Sequence, residues 1–232
     1  PVYGLQAKGL LGDDAPFDSF ADAAASKLAE IRRIQPHGPY LLAGFSGGGI
    51  TALEIARLIE EAGETVALVA LFDTYRDLDP DLRLLDKALM KLTDFRRKGL
   101  GYGREWLRDR VAWELGKRRS RAPDTAGAFH NQRIEQAFRR AIAAYEPARY
   151  EMNCVLLRPA LDKHYKVSRG RWISAEKRYV TPDNDWGAYI PRLEVVEVPG
   201  DHDSMVLVPN VGVLGAALRA RIDTALAAPG ET

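Results

Sequence analysis

The residues in this chain that could do nucleophilic chemistry are a serine set among glycines, a histidine in a loop, and an aspartate that ends an apolar run. Gly44-Phe45-Ser46-Gly47-Gly48 has the G-x-S-x-G spacing. In that pattern small residues flank a serine on a sharp strand-to-helix turn, and its hydroxyl stands clear of the backbone. A plain glycine-rich turn is the bland alternative. The neighbouring residues argue against it. Tyr40-Leu41-Leu42-Ala43 reads as a buried strand, and Leu53, Ile55, Ala56, Leu58, Ile59 and Ala62 recur at helical spacing afterwards.

A serine hydroxyl is a poor nucleophile at neutral pH, so Ser46 needs a base to take its proton and a carboxylate to orient that base. The chain has four histidines. His37, His130 and His164 fall in a turn, a helical region and a stretch just past a strand, where surface or packing roles suffice. His202, in Gly200-Asp201-His202-Asp203-Ser204, follows the last strand at the sheet edge where open α/β sheets place their sites, and is the candidate base. Asp73 ends the strand after the serine's helix and is the first candidate acid. Asp162, past the next strand, is its rival, whereas Asp201 and Asp203 flank the histidine too closely to reach around its ring. Gly47 N–H is a candidate oxyanion donor. The second donor is expected from a loop upstream of Pro1, because Val2–Gln6 reads as the strand just before the first helix.

The elements that must position these groups alternate. Helices are expected from Asp18 or Ser19 to Gln35, after the serine to Ala62, and over Asn210–Leu226. Strands are expected at Thr65–Phe72, Cys154–Leu157 and Leu193–Val198. This order predicts an α/β fold, a mostly parallel sheet flanked by helices. With Asp73 as the acid, the order Ser, Asp, His is that of α/β-hydrolases. About eighty residues separate Asp73 from Cys154, too many for an ordinary connection. Their pattern is helical (Leu82–Lys98, Trp106–Arg119, Ile134–Tyr145), so a helical lid insertion is expected at about 77–145, within a single domain spanning 1–232.

Composition narrows the class. Over 232 residues, 46% are hydrophobic and 28% charged, and 33 basic against 32 acidic side chains leave a formal charge of +1. That balance gives no reason to expect nucleic acid or a membrane as partner. A lone cysteine excludes an internal disulfide framework. With no signal peptide or spanning segment read, a cytoplasmic location is expected.

Pro1-Val2-Tyr3-Gly4-Leu5-Gln6, Ile34-Gln35-Pro36-His37-Gly38-Pro39-Tyr40 leading into Gly44-Phe45-Ser46-Gly47-Gly48, Leu71-Phe72-Asp73-Thr74-Tyr75 and Val198-Pro199-Gly200-Asp201-His202 follow one another along most of the chain. Together they resemble the successive motifs of the thioesterase domains that end nonribosomal peptide and polyketide synthase lines. The resemblance favours Asp73 over Asp162 as the acid. It implies an acyl chain delivered as a phosphopantetheine thioester by an acyl or peptidyl carrier protein, taken onto Ser46, and released by hydrolysis or cyclisation. No bound cofactor or metal is implied. The family's N-terminal glycine-rich motif is absent from the sequence, which leaves the second oxyanion donor unassigned. A free-standing serine esterase and a catalytically silent binding module of the same fold are the competing readings.

Phe45, Trp106 and Trp113, with Phe95, are candidates to line the acyl site, against the plainer reading of lid core. From Arg96 to Arg121 there are ten basic residues and three acids. A solvated helical face accounts for such a strip, and docking of an acidic carrier is the sharper alternative. Reversing four of these charges is expected to raise KM for a carrier-bound thioester while leaving a small soluble thioester unaffected. Equal changes in both would count against docking.

Overall fold

The computed structural model describes residues 1–10, 14–76, 82–98, 132–175 and 177–227. In chain order they form α1 (Phe20–Ile34), β1 (Tyr40–Phe45), α2 (Gly47–Glu61), β2 (Val66–Phe72), α3 (Leu84–Lys98), α4 (Gln132–Ala143), β3 (Cys154–Pro159), β4 (Tyr165–Lys166), β5 (Trp172–Ile173), β6 (Tyr179–Val180), β7 (Leu193–Val198) and α5 (Val211–Ala227). The chain divides into two units, one made of Pro1–Leu78, Asn131–Leu161 and Thr181–Thr232, the other of Asp79–His130 and Asp162–Val180. Among the described residues no helix is long and apolar enough to cross a membrane.

The first unit is built on a four-stranded sheet in the order β1-β2-β3-β7, with every neighbouring pair parallel. Side chains alternate across it, which is why its inner strands read as unbroken apolar runs. Val69, Leu71, Cys154 and Leu156 face one layer with α1, α2 and α4, through Phe20, Ala24, Ile50, Leu53, Ile59 and Ala141. Leu68, Ala70, Val155 and Leu157 face the other, where Leu214, Leu218 and Ile222 of α5 cover them. Burial pushes the Cys154 thiol up to about 12. Helix α1 starts where Ser19 accepts the Asp22 N–H at 3.3 Å, an N-cap bond that satisfies one of the helix's orphan donors.

One sequence expectation fails in this unit. Val2–Gln6 forms no strand and its side chains are exposed; an apolar-alternating segment becomes a strand only where a neighbouring ladder receives its backbone bonds. Helix α4, expected in the lid, belongs to the first unit. Ala137 and Ala141 on one of its faces are buried, Phe138 meets Phe20 edge to face at 5.8 Å, and the Tyr145 hydroxyl just beyond it donates to buried Glu54 at 3.1 Å. Glu54 also accepts from Tyr150 at 2.6 Å and from Arg57 at 3.0 Å.

The described part of the second unit is α3 with a three-stranded antiparallel sheet, β4-β5-β6. Its core is Met90, Tyr165, Val167 and Ile173. Asp86, fully buried on α3, ties the two together. It accepts from Ser168 N at 2.9 Å, Arg171 Nη2 at 2.6 Å and the Tyr179 hydroxyl at 2.7 Å. Hydrogen bonds from Ser168 and Tyr179, helped by the Arg171 charge, hold its carboxyl at about 2. A carboxyl depressed in the folded state stabilises it above its unfolded pKa, and that contribution fades as pH falls from about 4 toward about 2. Melting temperature is therefore expected to drop over this window. Asp86→Asn should melt lower at pH 7 and show a flatter dependence between pH 4 and 2; an unchanged slope in scanning calorimetry would contradict this role.

Candidate active site

Strand register sets the site. Phe45 of β1 lies beside Phe72 of β2, and Phe72 beside Leu157 of β3, so Ser46 and Asp73 leave adjacent strands on one rim. The Ser46 amide donates to the Phe72 carbonyl at 2.9 Å and the Asp73 amide to the Leu157 carbonyl at 2.8 Å. Each backbone is therefore held by its neighbour's ladder one residue past the strand. Ser46 then turns sharply, at φ +52° and ψ −127°, a backbone region that costs a non-glycine residue on the order of 1–3 kcal/mol. Two bonds to its carbonyl help hold the turn, from Gly49 N at 3.0 Å and from Thr74 Oγ1 at 2.9 Å. Close approach of strand and helix depends on Gly44, where a Cβ would lie 2.2 Å from the Gly48 carbonyl oxygen.

Gly47 opens α2. N–H groups in a first helical turn lack intrahelical acceptors and carry the positive end of the helix dipole, which suits Gly47 as the candidate oxyanion donor. A Cβ at Gly47 would fall 2.0 Å from Cζ of Phe138, so the ring of α4 closes against the elbow. This contact is not legible from the helical pattern over Ile134–Tyr145, which says nothing of what Phe138 touches.

Asp73 is 1% exposed and sits at φ +42°. Its Oδ2 lies 2.8 Å from His202 Nδ1. A carboxylate can only accept, so Nδ1 carries the proton and any proton exchanged with a substrate passes through Nε2. The imidazole stacks on Phe45, with centroids 4.8 Å apart and rings 27° from parallel, which brings it beside the residue preceding Ser46. Its loop is fixed by Asp201, whose Oδ1 accepts from Ser204 N at 2.8 Å and Ser204 Oγ at 2.7 Å. Bonds from Ser204 hold the Asp201 carboxyl below its usual range, and Met205 anchors the loop in the core.

The rival acid, Asp162, accepts the Ala175 N–H at 2.7 Å within the second unit. His37 is exposed, 4.0 Å from Glu64, and His164 lies 3.1 Å from Arg97 Nη1. His130, Trp106 and Trp113 lie outside the described residues, as do the expected helix Trp106–Arg119 and the basic residues from Arg104 to Arg121. Phe95 lies on α3, partly exposed. Sequence reasoning missed Thr74, Asn184 and Trp186. Trp186 is fully buried and its Nε1 donates to the Thr74 carbonyl at 3.0 Å. The signal was thin: a Thr-Pro-Asp-Asn-Asp-Trp stretch reads first as a turn.

A model of the family described as "Thioesterase domain" matches residues 1–202. The chain is similar to malpinin synthetase of Mortierella alpina, 46% identical over 84 residues, which is 35% of this chain and 1% of that one. It is similar to the non-reducing polyketide synthase ntnG of a Nectria species, 28% identical over 96% of this chain and 11% of the relative. The chain thus spans about a tenth or less of the length of these relatives. Among solved structures, the NocB thioesterase domain in covalent complex with a fluorophosphonate nocardicin G analog aligns with a TM-score of 0.58 at 23% identity, over 90% of this chain and 77% of that one. The likeness shows the α/β-hydrolase fold.

Replacing Gly44 with alanine forces a methyl into the backbone of the facing helix turn. Gly44→Ala is expected to lower unfolding free energy by about 3 kcal/mol, measured by urea denaturation.

Proposed function

The chain belongs to the thioesterase-domain family, and we propose on that footing that it releases acyl chains from a carrier protein through Ser46, His202 and Asp73. The observation that carries this reading is the 2.8 Å bond between His202 Nδ1 and Asp73 Oδ2, beside a serine held in the elbow conformation. The relatives are named as a synthetase and a polyketide synthase, which supports a role for the chain within such an assembly line. The carrier protein and its phosphopantetheine thioester are part of the same proposal.

In the first stage His202 Nε2 takes the Ser46 hydroxyl proton as Oγ bonds to the thioester carbonyl carbon. Negative charge gathers on the carbonyl oxygen, where the Gly47 N–H stabilises it; losing one such donor typically costs about 10²- to 10³-fold in rate. The intermediate collapses, the C–S bond breaks, and the imidazolium gives its proton to the departing sulfur, so the pantetheine leaves as a thiol and His202 is again neutral. In the second stage water, or a hydroxyl or amine of the same chain, attacks the ester carbonyl carbon. His202 takes its proton and returns it to Ser46 Oγ as that bond breaks. Asp73 keeps Nδ1 protonated, orients the ring and stabilises its charged form in both stages.

A fluorophosphonate probe tests this without knowledge of the acyl chain. It should label Ser46 covalently, and Ser46→Ala should not label. Asp73→Asn should lower turnover of an acyl thioester by about 10⁴-fold through the wrong imidazole tautomer. Labelling at another residue, or an Asp73→Asn variant as active as the parent, would overturn the assignment.

A further inference from the structure

Asn184 is 1% exposed and packs against Asp73. Its Nδ2 donates to Asp73 Oδ1 at 3.1 Å and to the Thr74 carbonyl at 3.2 Å. Nearby, Arg76 N donates to the Asn184 carbonyl at 3.2 Å, so the segment that carries the acid is stapled to the turn that carries the amide. The reversed amide would set an oxygen against a carboxylate and a carbonyl, both acceptors, so the neighbours fix its orientation. Asn184 Oδ1 is buried and has no hydrogen-bond partner among the described residues. An unpaired buried acceptor is a cost that a residue serving only to turn the chain need not carry.

We infer that Asn184 is a positioning residue for the reaction proposed above, holding the Asp73 carboxylate so that Oδ2 is presented to the imidazole. The inference rests on that reading of the triad. Asp73 stands on a left-handed backbone, at φ +42°, and its two oxygens have separate partners, His202 on Oδ2 and Asn184 on Oδ1. A neutral amide orients a carboxylate without cancelling its charge, so the charge remains to stabilise the imidazolium. A lysine or arginine in the same place would neutralise it. Asp185 and Asp203 are further carboxylates on the surrounding loops, and several of the other charged groups there bond to partners of their own. Asp183 accepts from Asp185 N and Gly187 N, Asp201 from Ser204, and Arg158 donates to the carbonyls of Thr181 and Pro182. The Arg76 guanidinium lies over the Tyr189 ring.

The test reads the rate of Ser46 labelling by a fluorophosphonate against pH in three variants. Asn184 sits at φ +50°, so Asn184→Gly removes the donor while tolerating the turn, and Asn184→Asp keeps the shape but replaces the donor with an acceptor. Trp186→Phe removes a neighbouring bond to the Thr74 carbonyl and leaves Asp73 its amide. Asn184→Gly should label about tenfold more slowly at pH 7, the scale of one charge-assisted hydrogen bond, and Asn184→Asp more slowly still. In Asn184→Asp the midpoint of the acid limb should move to higher pH, because added negative charge favours the imidazolium. Trp186→Phe should lower the melting temperature and leave that midpoint in place.

If both Asn184 variants keep the parent's midpoint and slow only as much as Trp186→Phe does, Asn184 is structural and the inference is overturned. Should Asn184→Asp fail to fold by circular dichroism, Asn184→Gly decides: a labelling rate within twofold of the parent overturns the inference. Failure of the parent itself to label at Ser46 would overturn the triad reading underneath.

Discussion

The parallel pairing of β1 with β2 is the constraint on which the site depends. Because Phe45 and Phe72 are register partners, the next residues, Ser46 and Asp73, emerge side by side, and the Ser46 amide is bonded to the Phe72 carbonyl. A one-residue slip would turn every inward side chain of β1 outward, and would carry the serine away from the acid's strand. Burial defends the register from both faces of β2, where Leu71 packs to one side and Ala70 to the other, and from one face of β1, where Tyr40 is buried and Leu42 packs on the same layer while Leu41 and Phe45 are exposed. The hydrophobic layers and the chemistry are thus two readings of one set of backbone hydrogen bonds.

Strain is concentrated at the same rim. Ser46 and Asp73 both lie at positive φ, and each is held by bonds that reach across elements, from Thr74 to the Ser46 carbonyl and from Asn184 to the Asp73 carboxylate. Residues in such conformations persist where their surroundings over-determine them. Around Asp73 the constraint comes from the sheet on one side and from the turn at Asn184 on the other.

How far the sequence foretold this depends on whether a residue's role is written in its own neighbourhood. The elbow, β2 with Asp73 behind it, and the apolar faces of α1, α2 and α5 follow from short-range patterns that burial alone enforces. Val2–Gln6 has the pattern of a strand, but strand formation is a property of a pair. The two-residue strands β4, β5 and β6 are too short to show any period. Helix α4 was placed by its position in the chain, whereas Ala137, Phe138 and Ala141 place it by what they touch. Asn184 was invisible because an asparagine that orients a buried carboxylate and one that merely turns a loop look alike until the tertiary partner is known.

Cys154 bears on the proposed reaction through what it withholds. The chain's one sulfhydryl is walled into the sheet and stays protonated at neutral pH, so it presents no thiolate to an incoming thioester or to the departing pantetheine arm. At this residue, therefore, neither transfer of an acyl group to sulfur nor a mixed disulfide with an incoming thiol is open, which leaves the proposed chemistry to the hydroxyl at the rim.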